Sequence, residues 1–343
     1  MKNAYVLVSD THFTDKRKSN RFNYQFETNL VKNEIDRLGI KYIERGINPI
    51  LIFLGDIYDN SYKSPTASMM EHDDMVSRKK IFKDIFSVLG NHDLNFSKDN
   101  PFWVLTSEDS VKVTNLPRVK FKPLGEVGII KVVDRLVDGD VVFNFNHYSS
   151  PILQPLDGKV NIGLFHQDIV CSPAITGAVN RGLNPYQSQA ILLDKEDVLL
   201  GYDYSFFGHF HKYYGKWEIN GGRLIYYLGS LGRPNHEEVA NNFLERNLPA
   251  IIVEDGKFVG VEDNIITLLN RESSVNEPKV LEQQEKRRKA KEKKELISMD
   301  VCTGSVMDSV KSTLAHPIYD LIIDSILEGK FDDYYLTLKG GID

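Results

Sequence analysis

The chain has 343 residues, 41% of them hydrophobic and 26% charged, with a formal net charge of −6 at pH 7. That length and apolar share can bury one large core or two smaller ones, and the acidic balance argues against a protein that coats nucleic acid nonspecifically while permitting a local basic track. The two cysteines, Cys171 and Cys302, make no CxxC pair, so neither a disulfide framework nor a thiolate zinc site is expected, and any metal must be held by His, Asp and Asn.

The N-terminal segment MKNAYVLVSD is too short in apolar residues for a signal peptide, and no run approaches the roughly 18 apolar residues of a membrane span. A cytoplasmic chain with no membrane partner is expected. The same segment begins a pattern that occurs five times in chain order. AYVLV runs into Ser9-Asp10-Thr11-His12, ILIFL into Gly55-Asp56-Ile57-Tyr58-Asp59, IFSVL into Gly90-Asn91-His92-Asp93, VNIGLF into His166-Gln167-Asp168, and YSFF into Gly208-His209-Phe210-His211. Short continuous runs of Val, Ile, Leu and Phe suit strands buried on both faces, and the glycines mark where strands end. In layered α/β folds a ligand site lies just beyond such ends, so the polar clusters are expected to converge. Phe22–Leu38, with Phe26, Leu30, Ile35 and Leu38 at helical spacing, and Arg78–Phe86 are expected to be helices covering the sheet. The architecture this implies is a layered α/β or α+β domain running to about residue 270.

Asp10, His12, Asp56, Asn91, His166, His209 and His211 offer seven oxygen and nitrogen donors, more than one ion needs and well matched to two ions sharing a bridging carboxylate. Past a strand end the alternation of side chains lapses, so His209 and His211 can reach two different ions. Imidazole, carboxylate and amide without thiolate suit Mn²⁺, Fe²⁺ or Zn²⁺ better than Ca²⁺. Two ions about 3.5 to 4 Å apart clamp an in-line displacement at phosphorus, which points to hydrolysis of a phosphate ester.

The ordered set DTH, GDIYD, GNHD, a downstream His and GHFH resembles the calcineurin-like metallophosphoesterase family, over Ala4 to about Asn270. The resemblance implies a four-layer fold, a two-sheet β-sandwich flanked by helices. It implies one metal on Asp10, His12 and His211, the other on Asn91, His166 and His209, Asp56 bridging, and His92 as the general acid that protonates the leaving oxygen. His147 in FNFNHYSS also follows an apolar run and competes with His166 for the fourth motif; HQD ends its run directly, which favours His166. Asp59 and Asp93 either orient the ligands or His92, which places Asp93 in the catalytic set, or cap their loops.

GNHD, with SPTA at Ser64 to Ala67 after the second motif, is similar to the SbcD-type nucleases, the catalytic subunits of double-strand-break processing complexes; protein phosphatases of the family carry GDxxDRG and GNHE. That similarity implies Mn²⁺-dependent cleavage of DNA phosphodiesters by a compact, phage-type subunit, with an SbcC-like coiled-coil ATPase as partner and a homodimer allowed. The alternative class is a phosphodiesterase or phosphatase for nucleotides or other small esters. Thr14 and Leu94 depart from the pattern, standing where a glycine and a small polar residue are common. Lys16, Arg17, Lys18 and Arg21, just after the first motif, are candidate contacts to a DNA backbone or else a solvated loop. Gly229-Ser230, after Leu224–Leu228, either offers backbone N–H groups to a phosphate, making Ser230 a substrate-binding candidate, or is an ordinary turn. His72 and His236 are expected on the surface and His316 in a structural place.

From Lys279 to Glu295 the chain reads KVLEQQEKRRKAKEKKE, an exposed helix or charged linker. Beyond it Ile318, Leu321, Ile322 and Ile326 fall at helical spacing, with Gly329 at a stop. Residues 271–343 are thus expected to be a small C-terminal extension whose apolar stripe docks on the protein's own core or on the ATPase.

Overall fold

The five apolar runs that precede a polar motif all become strands in the computed structural model. It describes residues 1–13, 24–58, 73–94, 101–114, 128–167, 169–170, 191–192, 199, 201–211, 213, 215–219, 221–232 and 245–267. These belong to one compact unit, Met1–Ser274. In chain order the strands are β1 (Lys2–Val8), β2 (Asn48–Phe53), β3 (Ile85–Ser87), β4 (Val111–Lys112), β5 (Ile130–Val133), β6 (Arg135–Asp138), β7 (Val141–Asn146) and β8 (Val160–Phe165). There follow β9 (Ile169–Val170), β10 (Ile191–Leu192), β11 (Tyr204–Phe207), β12 (Gly215–Ile219), β13 (Arg223–Tyr227), β14 (Glu245–Asn247), β15 (Ala250–Glu254), β16 (Lys257–Glu262) and β17 (Ile265–Thr267). The described helices are α1 (Tyr24–Glu44), α2 (73–78) and α3 (Pro101–Val104).

Two sheets face one another. The first runs β16-β15-β1-β2-β3-β5-β4 and the second β12-β13-β11-β8-β7-β6. The middle of each is parallel, β1-β2-β3-β5 in one and β7-β8-β11-β13 in the other. Strand β1 shows why the runs are continuously apolar. Ala4, Val6 and Val8 pack with Val31, Ile35, Leu38 and Tyr42 of α1, while Tyr5 and Leu7 pack into the core between the sheets with Phe143, Phe145, Ile162, Leu164 and Phe206. Successive side chains point to opposite faces, and here both faces are covered. The outer face of the second sheet carries Phe165, Phe207 and Tyr227 stacked in register, with ring centroids 4.7 and 4.8 Å apart, packed with Leu199 and Tyr202. The fold is therefore mixed α/β, two facing sheets flanked by few helices.

The first helix runs on past Leu38 to Glu44 because Tyr42 is on its buried face; Phe22 lies outside the described residues. Arg78–Phe86, expected as a helix, is instead the end of α2, a turn and the first two residues of β3. Ile81, Phe82, Ile85 and Phe86 satisfy a four-residue spacing, but Ile85 packs on the α1 side of the sheet and Phe86 between the sheets. Neighbouring residues on opposite faces are a strand property. Ile85 is paired with Leu51 and Phe86 with Ile52.

Register decides where the site falls. Val8 is level with Phe53 and Phe53 with Ser87; in the other sheet Phe165 is level with Phe207 and Phe207 with Tyr227. The polar motifs that follow therefore leave neighbouring parallel strands side by side, and the Leu231 N–H to Ser9 carbonyl bond (3.2 Å) and the Tyr148 N–H to Leu89 carbonyl bond (2.9 Å) join the two sheets at that end. Among the described residues no helix is long and apolar enough to cross a membrane.

Candidate metal centre

Asp10 and His12 follow β1, Asp56 follows β2, Asn91 follows β3, His166 follows β8, and His209 and His211 follow β11. Four of these turn sharply through the left-handed region: Asp10 at φ 45°, His12 at 41°, Asp56 at 51° and His209 at 71°. Such backbone costs on the order of 1–3 kcal/mol per residue and persists where the surroundings enforce it. Here it folds the side chains back over the sheet ends. Two adjacent positions are glycine for lack of room: Gly55 has φ 90° and a Cβ there would strike the His166 ring, while a Cβ on Gly90 would strike the Asp56 carboxylate.

The side chains gather into two adjoining clusters. In one, His12 Nε2 and His211 Nε2 face each other at 3.1 Å, and His211 Nε2 lies 3.9 Å from Asp10 Oδ1. In the other, Asn91 Oδ1 lies 3.2 Å from His166 Nε2 and 3.1 Å from His209 Nδ1, and those two ring nitrogens are 3.3 Å apart. Asp56 joins them, its Oδ2 3.3 Å from His166 Nε2 and 4.0 Å from His12 Nε2. The ligating atoms of Asp10, His12 and His211, and of Asp56, His166 and His209, lie within 4.8 Å of one another, as do those of His12, Asp56 and His92. Asp10, His12, Asp56 and His166 are buried, whereas Asn91, His92, His209 and His211 are half-exposed and form the mouth.

This donor set fits a pair of divalent cations. His166 Nδ1 donates to the Leu54 carbonyl at 2.6 Å, which fixes the ring with Nε2 turned toward Asp56, Asn91 and His209. Burial pushes the His12 imidazole down to about 4, so it is a neutral donor. Burial disfavours charge on Asp56 and His166 alike, yet their mutual attraction holds Asp56 well below the carboxylate range and His166 well above the imidazole range. An imidazolium neutralises the buried carboxylate in the metal-free chain; a cation would do so with both groups deprotonated.

His92 hangs over this cluster. Its backbone N–H donates to Asp56 Oδ1 at 2.8 Å, its ring meets the His12 ring edge-on at 4.9 Å, and its buried Nδ1 has no hydrogen-bond partner among the described residues. Asp93, expected in the catalytic set, turns away from the mouth and is buried. Its carboxylate accepts the N–H groups of Asp56 (2.8 Å), Gly90 (2.9 Å) and Ile57 (3.3 Å), so it ties the second and third motifs together. Burial, and next the Asp56 charge, push its carboxyl up. Ser230, expected to touch substrate, is fully buried; its N–H donates to the His211 carbonyl and its single hydroxyl proton is shared between the Asp10 and Gly232 carbonyls, so no donor is left to face a phosphate. His147 lies apart from the clusters, and its Nδ1 accepts the Leu89 N–H at 2.9 Å. Leu94 is accommodated by packing against the α1-side core.

Arg246 and Tyr148 went unmarked in the sequence. Buried Arg246 donates from Nε to the Ser230 carbonyl at 2.6 Å, and the Tyr148 ring packs against His209 at 5.6 Å and His166 at 6.3 Å. Only the histidine before Tyr148 hinted at the place. The expectations for Thr14, Lys16, Arg17, Lys18, Arg21, Asp59, Ser64–Ala67, His72, Asp168, Cys171, His236, Cys302, His316 and the C-terminal extension fall outside the described residues.

A pair of adjoining oxygen and nitrogen clusters at the ends of parallel strands, with a carboxylate between them, belongs to dinuclear metal-dependent hydrolases acting on phosphoric esters. Residues 5–213, more than half of the chain, match the family described as Calcineurin-like phosphoesterase, and the protein belongs to that family. No curated protein sequence matches the chain. Similar solved structures include a 5'-nucleotidase precursor from Thermus thermophilus, 13% identical with a TM-score of 0.38 over 78% of this chain and 55% of that one. A dimetal phosphatase from Danio rerio is 13% identical with a TM-score of 0.41, over 78% of this chain and 99% of that one. An NAD nucleotidase from Haemophilus influenzae is 11% identical with a TM-score of 0.39, over 78% of this chain and 50% of that one. The chain thus spans about half the length of the two nucleotidases.

Proposed function

We propose that this metallophosphoesterase hydrolyses DNA phosphodiester bonds with two Mn²⁺ ions, as the nuclease subunit of an SbcD-type complex. The observation that carries the phosphodiesterase chemistry is the position of Asp56 Oδ2, 3.3 Å from His166 Nε2 in one cluster and 4.0 Å from His12 Nε2 in the other. Asp10, His12 and His211 would hold one ion, Asn91, His166 and His209 the second, and Asp56 both. When bound, two such ions supply Lewis-acid polarisation of a phosphoryl oxygen and a lowered pKa for water. The thiolate-free donor set suits Mn²⁺ as it does Fe²⁺ and Zn²⁺, and the choice of Mn²⁺ follows the resemblance to the SbcD-type nucleases.

The chain's own residues do the rest. Asp93 fixes the backbone on which Asp56 and Asn91 stand. His92, held at the mouth by its N–H to Asp56, gives a proton to the leaving oxygen, a role for which imidazole is the commonest side chain. The DNA reading is supported by GNHD and SPTA and by the basic residues that follow the first motif, Lys16, Arg17, Lys18 and Arg21. In this reading the protein works in the cytoplasm beside an SbcC-like coiled-coil ATPase, with 271–343 as the segment that meets it.

The test is a Mn²⁺-dependent hydrolysis panel of linear duplex DNA, single-stranded DNA, cyclic nucleotides and a phosphomonoester, run with and without a coiled-coil ATPase. Cleavage of DNA is expected. Robust turnover of the small esters with no DNA cleavage in either setting would replace the nuclease reading with a nucleotide or small-ester phosphoesterase.

A further inference from the structure

We infer that Ser230, backed by buried Arg246, is the positioning residue for one of the two ions, the one held by Asp10, His12 and His211. This rests on the metal assignment above. Asp10 stands on the first sheet and His211 on the second, so their separation depends on how the two sheets meet. Ser230, just past β13, is bonded to both. Its N–H donates to the His211 carbonyl at 2.9 Å, and its hydroxyl, whose one proton is shared with the nearby Gly232 carbonyl, lies 2.9 Å from the Asp10 carbonyl. Asp10 also needs holding, since its φ of 45° lies in the left-handed region that costs a residue with a Cβ. The Gly232 N–H adds a second bond to the Asp10 carbonyl at 2.9 Å, and the His209 N–H, 2.9 Å from Asp10 Oδ2 and 3.1 Å from Oδ1, holds the other end of the residue.

The guanidinium beneath makes the tie stiff. Arg246 on β14 is buried, and its Nε donates to the Ser230 carbonyl at 2.6 Å while a terminal nitrogen donates to the Glu245 carbonyl at 2.8 Å. Charge-assisted hydrogen bonds are stronger than neutral ones and hold their partners at short range. Ser230 is thus fixed from below and bonds one carbonyl on each sheet above. Both residues that Ser230 bonds, Asp10 and His211, belong to the same proposed ligand set, so the larger effect falls on the ion they hold.

The experiment is titration of the metal-free full chain with Mn²⁺, followed by calorimetry and by the Mn²⁺ electron paramagnetic resonance signal. Removing an outer hydrogen bond that orients a ligand weakens metal affinity about 10- to 100-fold. Ser230→Ala is expected to weaken one ion by that factor and the other by less. Ser230→Thr, which keeps the hydroxyl, is expected to restore it, and Arg246→Gln to weaken the same ion. The thermal midpoint of the metal-free Ser230→Ala chain should stay near that of the parent, which separates positioning from general loosening. Asp10→Ala is the control for the underlying assignment. If it binds two ions as tightly as the parent, the ligand set is wrong; if it loses one while Ser230→Ala and Arg246→Gln bind both normally, the positioning role is wrong. Should Ser230→Ala fail to fold, the Arg246→Gln titration decides.

Discussion

The Asp93 carboxylate holds the backbone of Asp56: the Asp56 N–H donates to Asp93 Oδ2 at 2.8 Å, and the Asp56 side chain in turn accepts the N–H of His92, the residue before Asp93, at 2.8 Å. Two loops from neighbouring strands are locked by reciprocal bonds, so the Asp56 carboxylate and His92 are held to one another.

Asp93→Asn puts this to the test. An amide offers one carbonyl acceptor where the carboxylate accepts three N–H groups, those of Asp56, Gly90 and Ile57. At least one buried donor then loses its partner, at a cost of about 1–3 kcal/mol. Urea denaturation in the presence of a chelator measures it. Unchanged stability would mean that the three amides find other acceptors.

Asp56→Asn should weaken both ions together, because its Oδ2 faces both clusters, whereas His12→Ala should affect mainly one. Metal content after purification gives the answer. Two fully retained ions in Asp56→Asn would remove Asp56 from the bridging position.

His92→Gln should keep both ions and lose about 10² to 10⁴ in rate, the usual contribution of a general acid. The loss should shrink for a nitrophenyl ester, whose leaving oxygen departs without a proton. His92 also lies within ligating distance of His12 and Asp56. Loss of an ion in His92→Gln would therefore make it a ligand, and unchanged activity on DNA would show that no general acid acts there.

His147 predicts a pH dependence of stability. Burial pushes its imidazole down to about 4, Asp134 opposing from 3.9 Å, against about 6.5 in the unfolded chain. Between those values the unfolded chain binds the extra proton, so the stabilisation is fully present above about pH 6.5 and is lost as pH falls toward 4, by on the order of 3 kcal/mol. His147→Asn can still accept the Leu89 N–H and does not titrate. Denaturation midpoints at pH 5 and pH 7.5 should differ less in that variant than in the parent; an equal difference would place the acid sensitivity elsewhere.

Much of this was legible from the sequence because strand burial is written locally. A run such as AYVLV that is apolar at every position can be satisfied only by a strand covered on both faces, and the polar residues after it then fall at the strand end. That reasoning located Asp10, His12, Asp56, Asn91, His166, His209 and His211, which the structure gathers into two adjoining clusters. It failed at Arg78–Phe86, where a four-residue apolar spacing fitted a helix as well as it fitted a turn and a strand start.

Tertiary structure alone decided which strand ends meet and what each side chain faces there. His147 and His166 follow apolar runs on adjacent parallel strands, β7 and β8, yet one accepts a backbone N–H from Leu89 and the other faces Asp56. Ser230 and Asp93 are polar residues past strand ends, and the structure turns both inward, Ser230 onto a carbonyl that comes into reach when the two sheets pack and Asp93 onto N–H groups that come into reach when β2 pairs with β3. Arg246 carries no local signal at all, since its acceptor, the Ser230 carbonyl, is sixteen residues away in the chain and comes into reach only once the strands are assembled. Hydrophobic periodicity encodes where each strand ends; the contacts between those ends are long-range and are set by sheet packing.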